Sequence, residues 1–261
     1  MGVVNVTPDS FSDGGQCLEP DRAVESALRL IEEGADLIDL GGESTRPGAT
    51  PVSIQDELAR VIPVFQRLRS RTGVPLSIDT RKPAVAAAAL AAGADVVNDI
   101  QAGAAGSEMW ELLRTTGAGY VCMHMQGSPP TMQNAPRYDD VVTEVDSFFE
   151  NRLRALAAAG VSPEQVLLDP GIGFGKTSTH NLELLRHTGR FARHGRPLLI
   201  GVSRKSFLAR LVGGEIDDRV DAALACTLWA VRNAVNIVRT HDVAPTVRAL
   251  RMQHLLEGGT P

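Results

Sequence analysis

The sequence predicts an α/β fold: a (β/α)8 TIM barrel built as a single domain over residues 1–261. Short apolar runs recur eight times, helically patterned stretches separate them, and no Gly/Ser/Pro-rich tract divides the chain. Strands that are apolar on both faces and alternate with helices call for a parallel sheet, and eight such units favour a closed barrel over an open doubly wound sheet. A chain of 261 residues is an ordinary length for one such barrel.

The first apolar run covers residues 2–6 and breaks into the loop "TPDSFSDGG", where Gly14 and Gly15 give the backbone freedom to move. Further runs at 36–40, 76–78, 95–97, 119–123, 165–168, 198–202 and 236–238 complete the set. Ahead of the second run, Ala23, Ala27, Leu30 and Ile31 share one helical face. Leu58, Val61, Ile62, Phe65 and Leu68 do the same ahead of the third, so each set defines one buried stripe. Helix starts are signalled by Asp21, Ser53, Lys82–Pro83, Ser162–Pro163 and Asp242, and helix ends by Gly34, Gly73, Gly93, Gly117 and Gly160. Residues 126–138 hold three prolines and no periodicity, which marks a long loop and a candidate lid.

Charge narrows the function. Lys plus Arg total 26 against 31 Asp plus Glu, a net charge of −5, so no broad basic field is available for nucleic acid or an anionic membrane. A polyanionic ligand must then meet local cations. Cys17, Cys122 and Cys226 are odd in number, scattered and without metal-ligand spacing, which fits reduced thiols in a cytoplasmic protein and argues against zinc. The alanine-rich run at 83–94 is too short to span a bilayer, and the N-terminus lacks a signal-peptide pattern. Neither a membrane nor a nucleic-acid partner is expected.

In a barrel the βα loops converge at the C-terminal ends of the strands. The predicted strands end in Asn5; Asp39 followed by "GGESTRP"; Asp79; Asn98–Asp99; His124; Asp169; Ser203–Arg204–Lys205; and Arg239 with His241. One polar residue at a strand end reads as solvated or as a helix cap. Eight on one rim read as a site. Asp79, Asn98 and Asp169 offer acceptors suited to a flat heterocycle with an N–H-bearing edge, since a carboxylate takes two parallel hydrogen bonds from an amidine-like group. Asn5, Arg46, Arg239 and His241 come from strands that adjoin on closure, and they combine positive charge with a neutral oxygen, as a diphosphate with Mg2+ requires. Two features point elsewhere. "PGIGFGKT" at 170–177 has Pro170 where a phosphate loop needs glycine. His124, between Met123 and Met125, either packs in the core or faces the site. Asp36, Asp56 and Glu57 read as solvated charges.

The segments "NVTPDSFSDGG", "GGESTRPG", "SIDT", "VND", "MHMQGSPPTMQ", "LDPGIGFGKT", "SRKSF" and "RTHDV", in this order over nearly the whole chain, resemble the dihydropteroate synthase family. The resemblance implies a (β/α)8 barrel that joins 6-hydroxymethyl-7,8-dihydropterin diphosphate to p-aminobenzoate, giving 7,8-dihydropteroate and pyrophosphate in folate synthesis. It also implies a Mg2+-dependent cytoplasmic homodimer that is a target of sulfonamides. By motif position, Asn5 is the magnesium and diphosphate ligand, with Thr45, Arg46, Arg239 and His241 on the diphosphate. Asp79, Asn98, Met123, Asp169 and Lys205 form the pterin pocket. Phe11, Ser12, Asp13 and Pro47 lie in loops that close over p-aminobenzoate, with Phe174 and Ser206 at its ring and carboxylate. The motifs suit a dissociative, SN1-like reaction in which Asp13, Asp79 and Asp169 stabilise the developing cation, with Lys205, Arg239 and His241 completing the catalytic group.

Three departures accompany the resemblance: the chain starts almost at strand one, where the family has a preceding segment that helps close the barrel floor; Gln101 replaces a small residue after "VNDI"; and "DRVDAALACTLWAV" differs on a helix face. Two rivals are a methyltetrahydrofolate-type pterin methyltransferase, which "STRPG" and "RTHD" argue against, and a non-catalytic pterin-binding module.

Overall fold

The computed structural model describes residues 1–6, 19–44, 50–103, 107–215 and 219–260. Phe11, Ser12, Asp13, Cys17, Thr45, Arg46 and Pro47 lie outside these. Among the described residues eight strands alternate with helices in the order β1 (Gly2–Asn5), α1 (Glu19–Glu32), β2 (Ile38–Gly41), α2 (Ile54–Arg69), β3 (Leu76–Asp79), α3 (Pro83–Ala91), β4 (Val96–Asp99), α4 (Ser107–Thr116), β5 (Gly119–Met123), α5 (Val141–Ala158) and β6 (Val166–Asp169). There follow α6 (Ser178–Arg186), β7 (Leu199–Gly201), α7 (Ser206–Val212), α8 (Arg219–Arg232), β8 (Ile237–Arg239) and α9 (Val243–Leu256). Strands β1 to β6 form one parallel ladder, and β7 pairs parallel with β8. Bridges from Leu168 to Leu198 and from Gly2 to Thr240 join the two sheets. Backbone bonds from Val3 to the Thr240 carbonyl (3.1 Å) and from Thr240 to the Met1 carbonyl (2.9 Å) complete the closed barrel.

Most strands run one or two residues further toward their C-terminal ends than the apolar runs predict. Gly41, Asp79, Asn98, Asp169 and Arg239 therefore belong to strands rather than to the loops after them. The ladder engages only backbone groups, so a polar side chain aimed into the barrel does not end it.

Alternation sorts the side chains. Ile38, Leu40, Leu76, Ile78, Val97, Tyr120, Cys122, Val166, Leu168 and Ile200 pack outward with the helices in the main core. Met1, Leu37, Val96, Val121, Leu167, Leu199 and Ile237 form a separate inner cluster. This lower tier borders a cavity of about 640 Å³ that reaches α9. Two residues further along each strand, the same inward face carries Asp39, Asn98, Met123, Asp169 and Arg239, because side chains repeat every second residue.

The helices follow ordinary rules. Ser53 Oγ accepts from the Asp56 amide at 3.1 Å and caps α2, which buries Val61, Val64, Phe65 and Leu68. Asp21 does not cap α1, which begins at Glu19; it pairs with Arg67 on α2. Glu57 is not solvated. It is fully buried on the inner face of α2, where Lys82 Nζ reaches its Oε2 at 2.5 Å and also Glu43 Oε2 at 2.9 Å. The helical stripe makes it a first-turn charge, but the same turn places it over the partner cation at the start of α3. Residues 126–138 carry no helix or strand, as their prolines suggest.

Candidate active site

Adjacent strand ends bring the polar residues into one row. Asn5 registers with Gly41, Gly41 with Asp79, and Asp79 with Asn98. Met123 registers with Asp169, and Gly201 with Arg239. Gly41 leaves room at the centre of this row: a Cβ there would sit 3.4 Å from that of Asp79.

Arg239 occupies the middle. Its Nε donates to Asp39 Oδ2 at 2.7 Å and its Nη2 to Asp79 Oδ2 at 2.8 Å, while Asn98 Nδ2 donates to the same Asp39 oxygen at 3.0 Å. Burial opposes the guanidinium charge, yet Asp39 and Asp79 prevail and hold it protonated above the usual arginine value. One cation for two buried carboxylates leaves negative charge in excess. Burial raises Asp79 to about 7, with Arg239 opposing and Asp39 reinforcing the shift. Burial also raises Asp169, whose Oδ1 accepts from the Gly171 amide at 2.7 Å; that bond, Lys205 and Arg239 work against the shift. Lys205 falls to about 8 through burial and then Arg239, against the pull of Asp169 and Asp79. Asp79, Asp169, Lys205 and Arg239 thus feel one another across a single space.

His241 stands beside this cluster, with its amide and Nδ1 3.2 and 3.1 Å from Ser203 Oγ. Burial, then Arg239, lowers it to about 4, so the ring is neutral at pH 7. The turn after β7 depends on Arg204, which takes a left-handed φ of 58° and binds Asp242 Oδ1 at 2.7 Å. Lys205 then projects toward Phe174, its Nζ 4.1 Å from the ring centroid. Ser206 opens α7 and is exposed.

Of the predicted residues, Asp79, Asn98, Met123, Asp169, Lys205, Arg239 and His241 share the C-terminal end of the barrel, with Asn5 at the end of β1 and Phe174 against Lys205. His124 takes the packing alternative. It follows Met123 onto the opposite face, is 8% exposed, and meets Phe148 edge-on at 4.9 Å. Asp99 likewise points outward, binding the Gln101 and Gly103 amides and Tyr120 Oη. Asp39, which the sequence places on the rim without a chemical role, is the partner of Arg239; its signal is a carboxylate inside an apolar strand run, two residues before Gly41 on the same face.

A magnesium ion fits this donor set. Mg2+ takes one or two protein oxygens and fills its octahedron with phosphate and water. Asn5 supplies a hard neutral oxygen, and Asp39 Oδ1 is buried without a hydrogen-bond partner among the described residues. Among those residues no group of three His, Cys, Asp or Glu forms an all-protein cage.

A family model described as pterin binding enzyme matches residues 1–241. The chain is 45% identical over 252 residues to a dihydropteroate synthase of Escherichia coli K12, covering 97% of this chain and 89% of that protein. A Xanthomonas albilineans dihydropteroate synthase solved with 4-aminobenzoic acid superposes with a TM-score of 0.94 at 46% identity, covering 100% of this chain and 93% of that one. The same enzyme in complex with 7,8-dihydropteroate gives 0.90 at 44% identity, covering 100% and 94%.

Proposed function

The chain belongs to the dihydropteroate synthases of the pterin-binding enzyme family, and from that premise we propose that it condenses 6-hydroxymethyl-7,8-dihydropterin diphosphate with p-aminobenzoate. The products are 7,8-dihydropteroate and pyrophosphate. The observation that carries this reading is the inward row of Asp79, Asn98 and Asp169 around Arg239, an acceptor wall beside a cation at the mouth of one barrel.

Asp169 and Asp79 accept the N–H edge of the pterin, Asn98 reads a further polar atom, Lys205 donates, and Met123 covers a ring face. Arg239 and His241 take the diphosphate. Arg239 is already desolvated and aimed, so binding exchanges one buried anion for another. His241 meets the anion as a neutral donor and gains a proton as negative charge approaches. Magnesium, held by Asn5 and the diphosphate, would supply countercharge to the leaving group. The reaction is dissociative. As the C–O bond to diphosphate breaks, the buried carboxylates stabilise the cation developing on the pterin methylene. The arylamine attacks as a neutral nucleophile, and once the C–N bond has formed its nitrogen sheds a proton to the released pyrophosphate or to water, so placement matters more than a strong base. Asp13, Phe11, Ser12, Thr45, Arg46, Pro47 and Ser206 complete the two substrate sites in this reading, and sulfonamides compete with p-aminobenzoate.

We propose further that the working protein is a cytoplasmic homodimer: Val212 and Trp229 are exposed at 72% and 51%, which gives α7 and α8 apolar surface for a second copy. Pyrophosphate release with pterin diphosphate, p-aminobenzoate and Mg2+, each omitted in turn, tests the assignment. Sustained release, matched by 7,8-dihydropteroate, should need all three. No release in the full mixture, or release there without 7,8-dihydropteroate, would contradict it.

A further inference from the structure

Lys176 is a buried amine, 2% exposed, in the loop between β6 and α6, and the chemistry above gives it no task. Its Nζ lies 2.9 Å from the Phe174 carbonyl, 3.0 Å from the Gly171 carbonyl and 3.3 Å from the His124 carbonyl, with His124 Nδ1 at 3.0 Å. Burial lowers this amine to about 7, with Asp169 opposing the shift; as amine or ammonium it has two or three protons to give, and it is surrounded by acceptors. His124, lowered to about 3 by burial and then by Lys176, is neutral and offers Nδ1 as one of them.

The loop needs such a donor. Gly171, Gly173 and Gly175 adopt φ of 66°, 84° and 62°, which turns their carbonyls away from any ladder. Gln133 Nε2 meets the Gly173 carbonyl at 2.7 Å and Tyr138 Oη meets that of Gly175 at 2.9 Å. Lys176 alone covers those of Gly171 and Phe174 with a side-chain donor among the described residues. The loop also lies flush on the segment after β5: a Cβ at Gly171 would come within 2.0 Å of the His124 carbonyl, and one at Gly175 within 2.3 Å of that of Gln126. Phe174 rides on this platform and faces Lys205.

We propose that Lys176 is a positioning residue for the arylamine half of the site, pinning the 171–175 loop to the end of β5 so that Phe174 stands at a fixed place beside Lys205. The proposal rests on the reading above that Phe174 packs against p-aminobenzoate. Lys176→Met keeps the unbranched apolar stem, one atom shorter, and removes all its donors.

Steady-state kinetics and equilibrium binding test it. Lys176→Met should raise KM for p-aminobenzoate at least about 10-fold while kcat and the Kd of pterin diphosphate stay within about 3-fold. In a Phe174→Leu background the same substitution should change that KM by less than about 2-fold, because the two residues act in series. Lys176→Gln, which keeps an NH2 donor group on a shorter stem, should fall between wild type and Met. An equal loss of pterin affinity, additive effects in the double variant, an unchanged KM, or failure of both variants to fold would each overturn the proposal. A wild-type protein that does not use p-aminobenzoate at all would instead overturn the functional reading beneath it, and the two failures are told apart by that control.

Discussion

Replacing Arg239 with methionine tests the charge balance at the barrel centre. The guanidinium serves Asp39 at 2.7 Å and Asp79 at 2.8 Å, and methionine occupies similar space without a charge. Removing one partner of a buried ion pair costs ~3–5 kcal/mol. The deficit should also depend on pH, with a definite sign. Asp79 sits at about 7 in the folded protein against an ordinary 3.8, so between these values the folded state holds a proton that the unfolded chain lacks. The stability this proton brings is complete below 3.8 and is lost as pH rises, the loss ending above about 7. Arg239 is the largest influence opposing the shift, so in its absence Asp79 keeps its proton to higher pH. The Asp79 contribution should level off above pH 7 in the wild type, while in Arg239→Met it goes on falling by ~1.4 kcal/mol per pH unit. A deficit of ~3 kcal/mol at pH 6 should therefore widen by ~2 kcal/mol at pH 8.5. Urea unfolding of both proteins at pH 6, 7 and 8.5 measures it. A deficit that is constant over that range, or that narrows, would refute the assignment of Asp79 as the titrating partner.

Histidine titration by NMR should find His124 near 3 and His241 near 4 in the free protein. Added inorganic pyrophosphate should raise His241 by at least about one unit and leave His124 in place, while a His241 value near 6.5 without ligand would contradict its burial beside Arg239. Lys82→Met leaves fully buried Glu57 and half-buried Glu43 without their shared cation. It should lower the unfolding free energy at pH 7 by ~3 kcal/mol, and a loss below ~1 kcal/mol would mean that water already screens the pair. Gly171→Ala puts a methyl group against the His124 carbonyl at a φ of 66°. It should cost ~2 kcal/mol or more in thermal or urea unfolding, and a neutral result would show that the loop can lift from β5.

The barrel was legible because it rests on local repetition. Apolar runs every few tens of residues and helical stripes such as that of Val61, Phe65 and Leu68 are visible without long-range information. Much of the site was legible for the same reason: Asp79, Asn98 and Asp169 interrupt runs that should be apolar. What could not be read were pairings with no period. The bond from Arg239 to Asp39 spans 200 residues, and that from Lys82 to Glu57 spans 25. Glu57 has the local pattern of a solvated helix-start charge, and only the partner's position buries it. Lys176 stands in "PGIGFGKT", and no local pattern points from it to its partner His124, 52 residues away.

The two-tiered interior has an evolutionary consequence. Leu37 and Asp39, Val96 and Asn98, Leu167 and Asp169, and Ile237 and Arg239 are steps of two on one strand face, with helix-facing Ile38, Val97, Leu168 and Val238 between them. Inserting or deleting one residue within any of these strands would thrust a carboxylate or guanidinium among the helices and drop an aliphatic chain into the catalytic mouth. Chemistry and folding would then fail together, so change in this protein should accumulate by substitution along the strands and by length variation only in the loops that join them.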